Sequence, residues 1–564
     1  MQVIEHTYIS LLADVANLSG FSEIRGSYEG LQWCLIEAPK LEKQVLNSIE
    51  TGLTLDLDLF PVWLRRLAAV SVVDPVKLRL LRQLLLFCYK ALVTHDIKTT
   101  ETAFEAFVST NTSTREFGCN LGRYSPYLLD AVRRHVQSVM YLYRGSGFFP
   151  HHGPGAVTTS KDKWLRRYST IESRFPQSDY FALYFNRDHC AQLEDSIELD
   201  IIEAKLIAVP KDSRGPRLIC VHPAEAIWIQ QGVRHRLERA ISRVRSSYGP
   251  WPRGHIHFED QAVNGSIALA SSRSRRYATI DMKEASDRIS DILVQILFGR
   301  NYPDFGCCRA QKFVIPSFGS AKNLKGNIHS YAPMGNATTF PVQSLVFWAI
   351  CVASLQRHGF HQPGAVFVFG DDLCVPSECT EFIINDLESF GLLVNKEKSF
   401  WRGAFRESCG VDAFNGVNVT PIRWKTTTDA EHLQGLQSLS DMAMRLRIAG
   451  YEEAASTAYQ VLRRRLRSNY GRDLFFTNNQ DHGGLAEFTT CDSNVWSDAY
   501  WHPSLHWFYS RIWRLKSLDN SIQISDWNHV LESVCSLERT GRSSIPSRCV
   551  SRRTVLNRGW IGVR

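Results

Sequence analysis

The sequence predicts an α+β fold with helical regions at both ends and a mixed centre. Residues 1–204 are mainly helical in pattern, as in Leu78 to Val93, where leucines recur around Arg82, Gln83 and Lys90. From 205 to 425 short apolar runs alternate with helical periodicity. Beyond 426 helical pattern returns, ending in an aromatic-rich region (Trp496, Trp501, Trp507, Trp513, Trp527) and a basic tail. At 564 residues the chain is long enough for several subdomains. With no internal repeat or long low-complexity linker, these regions read as one interwoven body.

In the first region the clearest interruption is Phe149 to Gly155, a Gly-Pro loop carrying His151 and His152. Adjacent histidines suggest a metal, but no third ligand stands at a sensible spacing, and a surface loop is the simpler reading. The central region opens with Lys205 to Arg217, a strand, a turn and a second strand that bring Lys205, Lys211, Arg214 and Arg217 together. Such a basic hairpin offers charge-assisted hydrogen bonds to a triphosphate; taken alone, it is also an ordinary hairpin with solvated charges.

Tyr277 to Asp281 follows as a short buried strand ending in an acid. The apolar positions Ile289, Ile292, Leu293, Ile296 and Leu297 then predict one amphipathic helix, with Ser286 or Asp287 placed to cap it. Next comes Pro333 to Pro341, a small uncharged loop entering an apolar helix. There Gly335 lets backbone approach a base pair and Asn336 can bond a sugar hydroxyl. The whole stretch Tyr331 to Gln356 is uncharged, yet its Pro333, Gly335, Asn336, Pro341 and Gln343 predict a loop and buried helix, not a membrane span.

The runs Ala365 to Phe369 and Leu373 to Val375 flank Gly370 and Asp371, a two-residue turn signal in which glycine supplies positive φ. Asp371 and Asp372 therefore sit at a hairpin tip, which alone is also a bland polar turn. If Asp281 faces that tip, three carboxylates share one site. Each pair at about 4 Å would repel by roughly 4 kcal/mol at an effective dielectric near 20. Two divalent cations relieve this; magnesium suits an all-oxygen site and manganese can replace it. Gly391 is expected to end the helix Thr380 to Phe390. The strand after it carries Asn395, Lys396, Glu397 and Lys398, with a lysine placed to protonate departing pyrophosphate or simply to be solvated.

Hydrophobic residues at 44% and charged ones at 22% are ordinary for a soluble globular protein. The net charge of +8, from 65 basic and 57 acidic residues, is a mild bias towards polyanions. It is concentrated in Arg463, Arg464, Arg465 and Arg467 and in Arg539 to Arg564, which holds seven arginines and no acid. The 14 cysteines, including Cys307 and Cys308, form no CxxC and read as free thiols of a reducing cytosol. No secretory signal is evident at the amino terminus.

In this order the segments resemble the palm motifs of template-dependent polymerases. The match narrows with ATIDMKEASDRIS, MGNATTF, FGDD, VNKEKSF and above all FRESCG (Phe405 to Gly410) followed by NGVNVTP (Asn415 to Pro421). Together with VPKDSRGPRLICVHP and QAVNGSIAL, these resemble the replicase subunit of positive-strand RNA bacteriophages, the levivirus or Q-beta-like group. The resemblance is specific from about 205 to 425.

It implies an RNA-directed RNA polymerase with a right-hand fold. Residues 1–204 would contribute to fingers, 205–425 would form the fingers and palm core with the catalytic domain proper near 260–402, and 426–564 the helical thumb and basic terminus. Asp281 and Asp371 would ligate two magnesium ions, with Asp372 a less central third carboxylate. Asp287, Gly335 and Asn336 would hold the ribonucleotide, the first and last reading its 2′-hydroxyl. Lys211, Arg214 and Arg217 would bind the triphosphate, and Lys398, which fits the family pattern better than Lys396, would be the general acid. Cys409 is expected to be a packed thiol. RNA template and product, ribonucleoside triphosphates and host proteins (elongation factors Tu and Ts, a ribosomal protein) are the implied partners, with no membrane, in the cytoplasm of an infected bacterium. Two departures stand out: Phe369 where the family commonly has tyrosine, and Met282, Lys283 and Glu284 where small residues are common. A reverse transcriptase and a non-catalytic RNA-binding protein on a polymerase scaffold are the competing readings. Asp287, Asn336 and FRESCG weigh against the first, and the three intact carboxylates against the second.

Overall fold

The computed structural model describes residues 2–119, 125–151, 153, 155–158, 201–243, 255–316, 324–360, 365–496, 499–520 and 551–563. His152, Trp527 and most of the arginine tail lie outside them. The fold is α+β. The N-terminal region is helical, with Val3–Ser19, Ala38–Thr51, Val62–Ser71, Pro75–Leu86, Ile97–Cys119 and Pro126–Tyr143 as its α-helices among the described residues. Pro75–Leu86 starts at Asp74, whose carboxylate accepts from the amides of Val76 and Lys77, with Pro75 in the first turn.

Two sheets follow. In the first, β1 (Glu203–Asp212) and β2 (Gly215–Val221) form an antiparallel hairpin, and β1 also pairs in parallel with a later strand (Lys312–Ile315). The second is antiparallel and positions the site. Its β3 (Tyr277–Lys283) lies between β7 (Asp372–Pro376) and β8 (Leu393–Val394), with β6 (Phe367–Phe369) beyond β7; β4 and β5 are the strands Lys312–Ile315 and Leu324–Asn327 of the first sheet. The register sets Ala278 opposite Val375, Ile280 opposite Leu373 and Asp281 opposite Asp372. Ala278, Ile280, Leu373 and Val375 are buried, so hydrophobic burial fixes a register whose last pair is two acids.

The helix Thr339–Arg357 is buried along nearly its whole length. It is long and apolar enough to cross a membrane by composition, yet 83% of that stretch is buried within the protein, as expected of a core helix. It belongs to a hydrophobic core running from Phe104 to Val394. A second core joins Val3 to Ala91 with residues from Phe400 onward, including the helices Leu433–Ile448 and Glu452–Tyr470.

Three sequence expectations need correction. The predicted helix after Ala285 is two: Ala285–Arg288 and Asp291–Phe298. Between them Ile289 is extended, its carbonyl accepts from the Tyr331 amide at 2.7 Å, and Ser290 pairs with Ser330. Neither Ser286 nor Asp287 caps the second piece, because Ser290 precedes it. Residues 395–398 form a turn closed by the Lys398 amide on the Asn395 carbonyl at 2.9 Å, not a strand. Beyond Trp496 the chain is β: Tyr500–His502, Trp507–Asn520 and Ser551–Gly562 form an antiparallel sheet where helices were expected. Trp507, Phe508 and Tyr509 are consecutive aromatics, so no period-two alternation marks this strand in the sequence.

Candidate active site

The turn between β6 and β7 is Gly370 and Asp371, with Phe369 opposite Asp372, as the two-residue hairpin signal required. Gly370 has φ +65°, and a Cβ there would lie 2.5 Å from the Phe340 ring. Its amide donates to Ser344 Oγ at 3.2 Å, which fastens the tip to the helix Thr339–Arg357. Phe369 packs edge-on against Phe340 with ring centroids 5.1 Å apart, a contact that needs no hydroxyl. Asp371 is exposed and lines a cleft of about 820 Å³.

Asp281 lines the same cleft. Asn395 Nδ2 donates to its Oδ2 at 2.8 Å, while its amide donates to Ser399 Oγ and its carbonyl accepts from the Asn395 amide. Burial and Asp371 push the Asp281 carboxyl up, against Lys398, the Asn395 bond and Lys211. Asp372, opposite Asp281, does not line the cleft. Its Oδ2 accepts from the Cys409 amide at 3.3 Å and contacts Cys409 Sγ at 3.5 Å. Burial first, then Asp371 and Asp281, push it up to about 7. The three acids therefore repel one another. Among the described residues no three His, Cys, Asp or Glu side chains converge as a preformed ion cage. Cys409 is the packed thiol expected, held well above the ordinary thiol range by burial and Asp372.

The basic hairpin lines the same cleft. Lys211, Arg214 and Arg217 line the cleft, but Lys205, opposite Val221 at the far end, does not. Arg214 is engaged: its Nη2 donates to Asp212 Oδ2 at 3.0 Å and its guanidinium lies over the Tyr89 ring. Burial, then Arg217 and Lys398, push the Lys211 ammonium down, against Asp212.

Gly335 joins this hairpin to the loop Pro333 to Pro341. It has φ +120°, and a Cβ there would lie 2.1 Å from the Cys220 carbonyl oxygen of β2, whose amide donates to the Met334 carbonyl at 2.8 Å. Asn336 is buried; its Oδ1 accepts from the Thr338 amide and hydroxyl, both at 2.8 Å, while its Nδ2 donor has no partner among the described residues. Asp287 also lines the cleft, and burial pushes its carboxyl up to about 6. Of the two candidate lysines, Lys398 lines the cleft, whereas Lys396 is exposed near Glu388. The departures after Asp281 have local roles: Met282 is buried, and Glu284 accepts from Thr110 and Arg288.

The structure thus gathers Asp281, Asp371, Lys398, Lys211, Arg214, Arg217, Asp287, Gly335 and Asn336 around one cleft and sets Asp372 just behind it. Sequence reading missed Lys90, which lines the cleft from a segment with no motif.

The family model described as "RNA replicase, beta-chain" matches residues 176–445. The chain is similar to the "RNA-directed RNA polymerase beta chain" of Enterobacteria phage fr (33% identity over 218 residues, 38% of this chain and 37% of the relative). It is similar to that of Escherichia phage MS2 (30% over 243 residues, 43% and 41%). It also matches the "RNA-directed RNA polymerase subunit beta" of Qbeta virus strain MX1 (32% over 222 residues, 39% and 35%). The matched segment spans between 35 and 41% of the length of these relatives. Residues 176–445 contain every site residue described above except Lys90, and over that stretch the chain is similar to the RNA replicase beta-chain family.

Proposed function

We propose that the chain is an RNA-directed RNA polymerase that extends RNA on a phage RNA template. The observation that carries this reading is a single cleft lined by Asp281 and Asp371 together with Lys211, Arg217 and Lys398. An all-oxygen donor set of mutually repelling carboxylates fits magnesium, with manganese as substitute. Asp281 and Asp371 would hold two such ions, with Asp372 behind them. When bound, the ions supply Lewis acidity at the hydroxyl nucleophile and the phosphate oxygens.

The remaining work falls to the chain. Lys211 and Arg217, with Arg214 through its free donors, hold the triphosphate so that the RNA 3′-oxygen bonds to the α-phosphorus as the bond to the β-phosphate oxygen breaks. The 3′-hydroxyl loses its proton, and Lys398 donates one to the departing pyrophosphate. The unpartnered Asn336 Nδ2 and the Asp287 carboxyl suit a ribose 2′-hydroxyl, which both donates and accepts. We assign 1–204 to fingers, 205–425 to fingers and palm with the catalytic domain near 260–402, and 426–564 to thumb and basic terminus. The relatives are named as beta chains, so a multi-protein replicase is the proposed setting, with elongation factors Tu and Ts and a ribosomal protein in the infected cell's cytoplasm.

Primer extension on an RNA template with ribo- or deoxyribonucleotides tests the reading. Ribonucleotides should be preferred in magnesium, and Asp371→Asn should lower extension about a thousandfold. Preferential use of deoxyribonucleotides would make the chain a reverse transcriptase. Unchanged synthesis by the Asn variant would remove the catalytic assignment.

A further inference from the structure

Lys90 follows the helix Pro75–Leu86 and lies outside the family-matched segment, yet it lines the active-site cleft. It also lines a second cavity of about 470 Å³, behind the β1–β2 turn. Lys90, Arg214 and Lys398 line both spaces, whereas Asp281, Asp371 and Asn336 line only the cleft. Lys90 therefore stands where the two spaces meet, beside Arg214 and Lys398.

The junction is electropositive for reasons the contacts make plain. Asp212 is already engaged by Arg214 and by the Tyr89 hydroxyl at 3.2 Å. In the second cavity Glu397 is paired with Lys43 and Glu42 with Arg82, while burial pushes the Glu407 carboxyl up to about 7. Among the described residues Lys90, Lys211, Arg217 and Lys398 form no ion pair; the one recorded contact of the Lys90 ammonium is the Tyr89 ring, 5.1 Å away. Burial, together with Arg423, Lys211 and Lys398, pushes Lys90 down to about 8 against Asp212. A half-buried cation among cations gains most from a polyanion.

We propose that Lys90 is a phosphate-binding residue that holds the distal phosphates of the incoming ribonucleoside triphosphate and the pyrophosphate formed from them. The assignment rests on the polymerase reading for its substrate, and on the geometry of the two cavities for its place.

Titration calorimetry of the full chain with inorganic pyrophosphate and with a ribonucleoside triphosphate, in magnesium, tests it with Lys90→Gln and Lys90→Arg. Gln should weaken both ligands about tenfold and Arg should restore most of that loss, the size of one charge-assisted bond. In extension assays KM for nucleotide should rise by a similar factor while kcat stays within about twofold. Equal binding by wild type and Lys90→Gln, or no recovery with Arg, overturns the proposal. Should the Gln variant fail to melt cooperatively, amine acylation of the wild-type chain decides: pyrophosphate should protect Lys90, and unchanged labelling overturns the assignment. If the wild type binds pyrophosphate through Lys90 but extends no primer, the polymerase reading falls and the phosphate site stands; if it binds neither ligand, Lys90 has no such role.

Discussion

Asp287 has a carboxyl that burial pushes up to about 6 from an ordinary 3.8. The folded chain therefore keeps this proton through a range where the unfolded chain has lost it. Stability from this group falls as pH rises from about 4 to 6 and is level above that. Asp287 retains some exposure to the cleft, so the full penalty is about 2 kcal/mol. Asp287→Asn should match wild type near pH 4 and exceed it by about that amount at pH 7, measured by urea unfolding at a series of pH values. The same variant should narrow the preference for ribonucleotides, because a carboxyl kept at a cost to stability is expected to serve binding. A pH-independent difference would mean that another group carries the penalty. The sequence placed Asp287 near the site only through its motif. Its reading as a helix cap failed because the buried Ile289 and its backbone bond to Tyr331 break the helix, and that partner lies 42 residues on.

At the scale of elements, the joint between β2 and the loop Pro333 to Pro341 is the most sensitive point. Gly335 combines φ +120° with a Cβ position 2.1 Å from a backbone oxygen that cannot rotate away. Gly335→Ala should cost about 3 kcal/mol by driving the loop off the hairpin. It should also abolish nucleotide binding in molecules that remain folded, since Asn336 moves with the loop. Thermal unfolding followed by nucleotide titration checks both, and an Ala variant with native stability and affinity would refute the joint. Elements with local signals were legible: the Gly370 turn, the basic hairpin, and the helix Thr380–Ser389 ended near Gly391, whose φ is +78°. The place of β3 between β7 and β8 was not, because strand partners separated by 90 or more residues leave no local trace. The C-terminal strands were missed for a different reason, since adjacent aromatics such as Trp507, Phe508 and Tyr509 leave them no period-two alternation.

Over the whole molecule, the N-terminal helices and the family-matched segment share both cores. Residues 400–445 bury their apolar side chains against residues 3–91, so this part of the matched segment lacks its packing partners when taken alone. Arg82 is the polar centre of that union. Only 2% of its side chain is exposed; its Nε donates to Glu42 at 2.8 Å and its Nη1 to Asp412 at 2.9 Å and to the Val419 carbonyl. Burial opposes its charge, but Asp412 and Glu42 outweigh that and hold the guanidinium above its ordinary value. In the sequence Arg82 is one polar letter in a leucine-rich helix, because its partners lie 40 and 330 residues away. Arg82→Met keeps volume but leaves Glu42 without its cation and Asp412 with Arg423 alone. The expected loss is about 3–5 kcal/mol, the cost of breaking a buried pair from one side. Because the network ties distant segments into one core, far- and near-ultraviolet dichroism should report the same single urea transition, shifted as a whole. If the N-terminal helices instead melted first and the rest kept its midpoint, the two parts would be separable bodies and Lys90 would be held in the cleft by something other than this core.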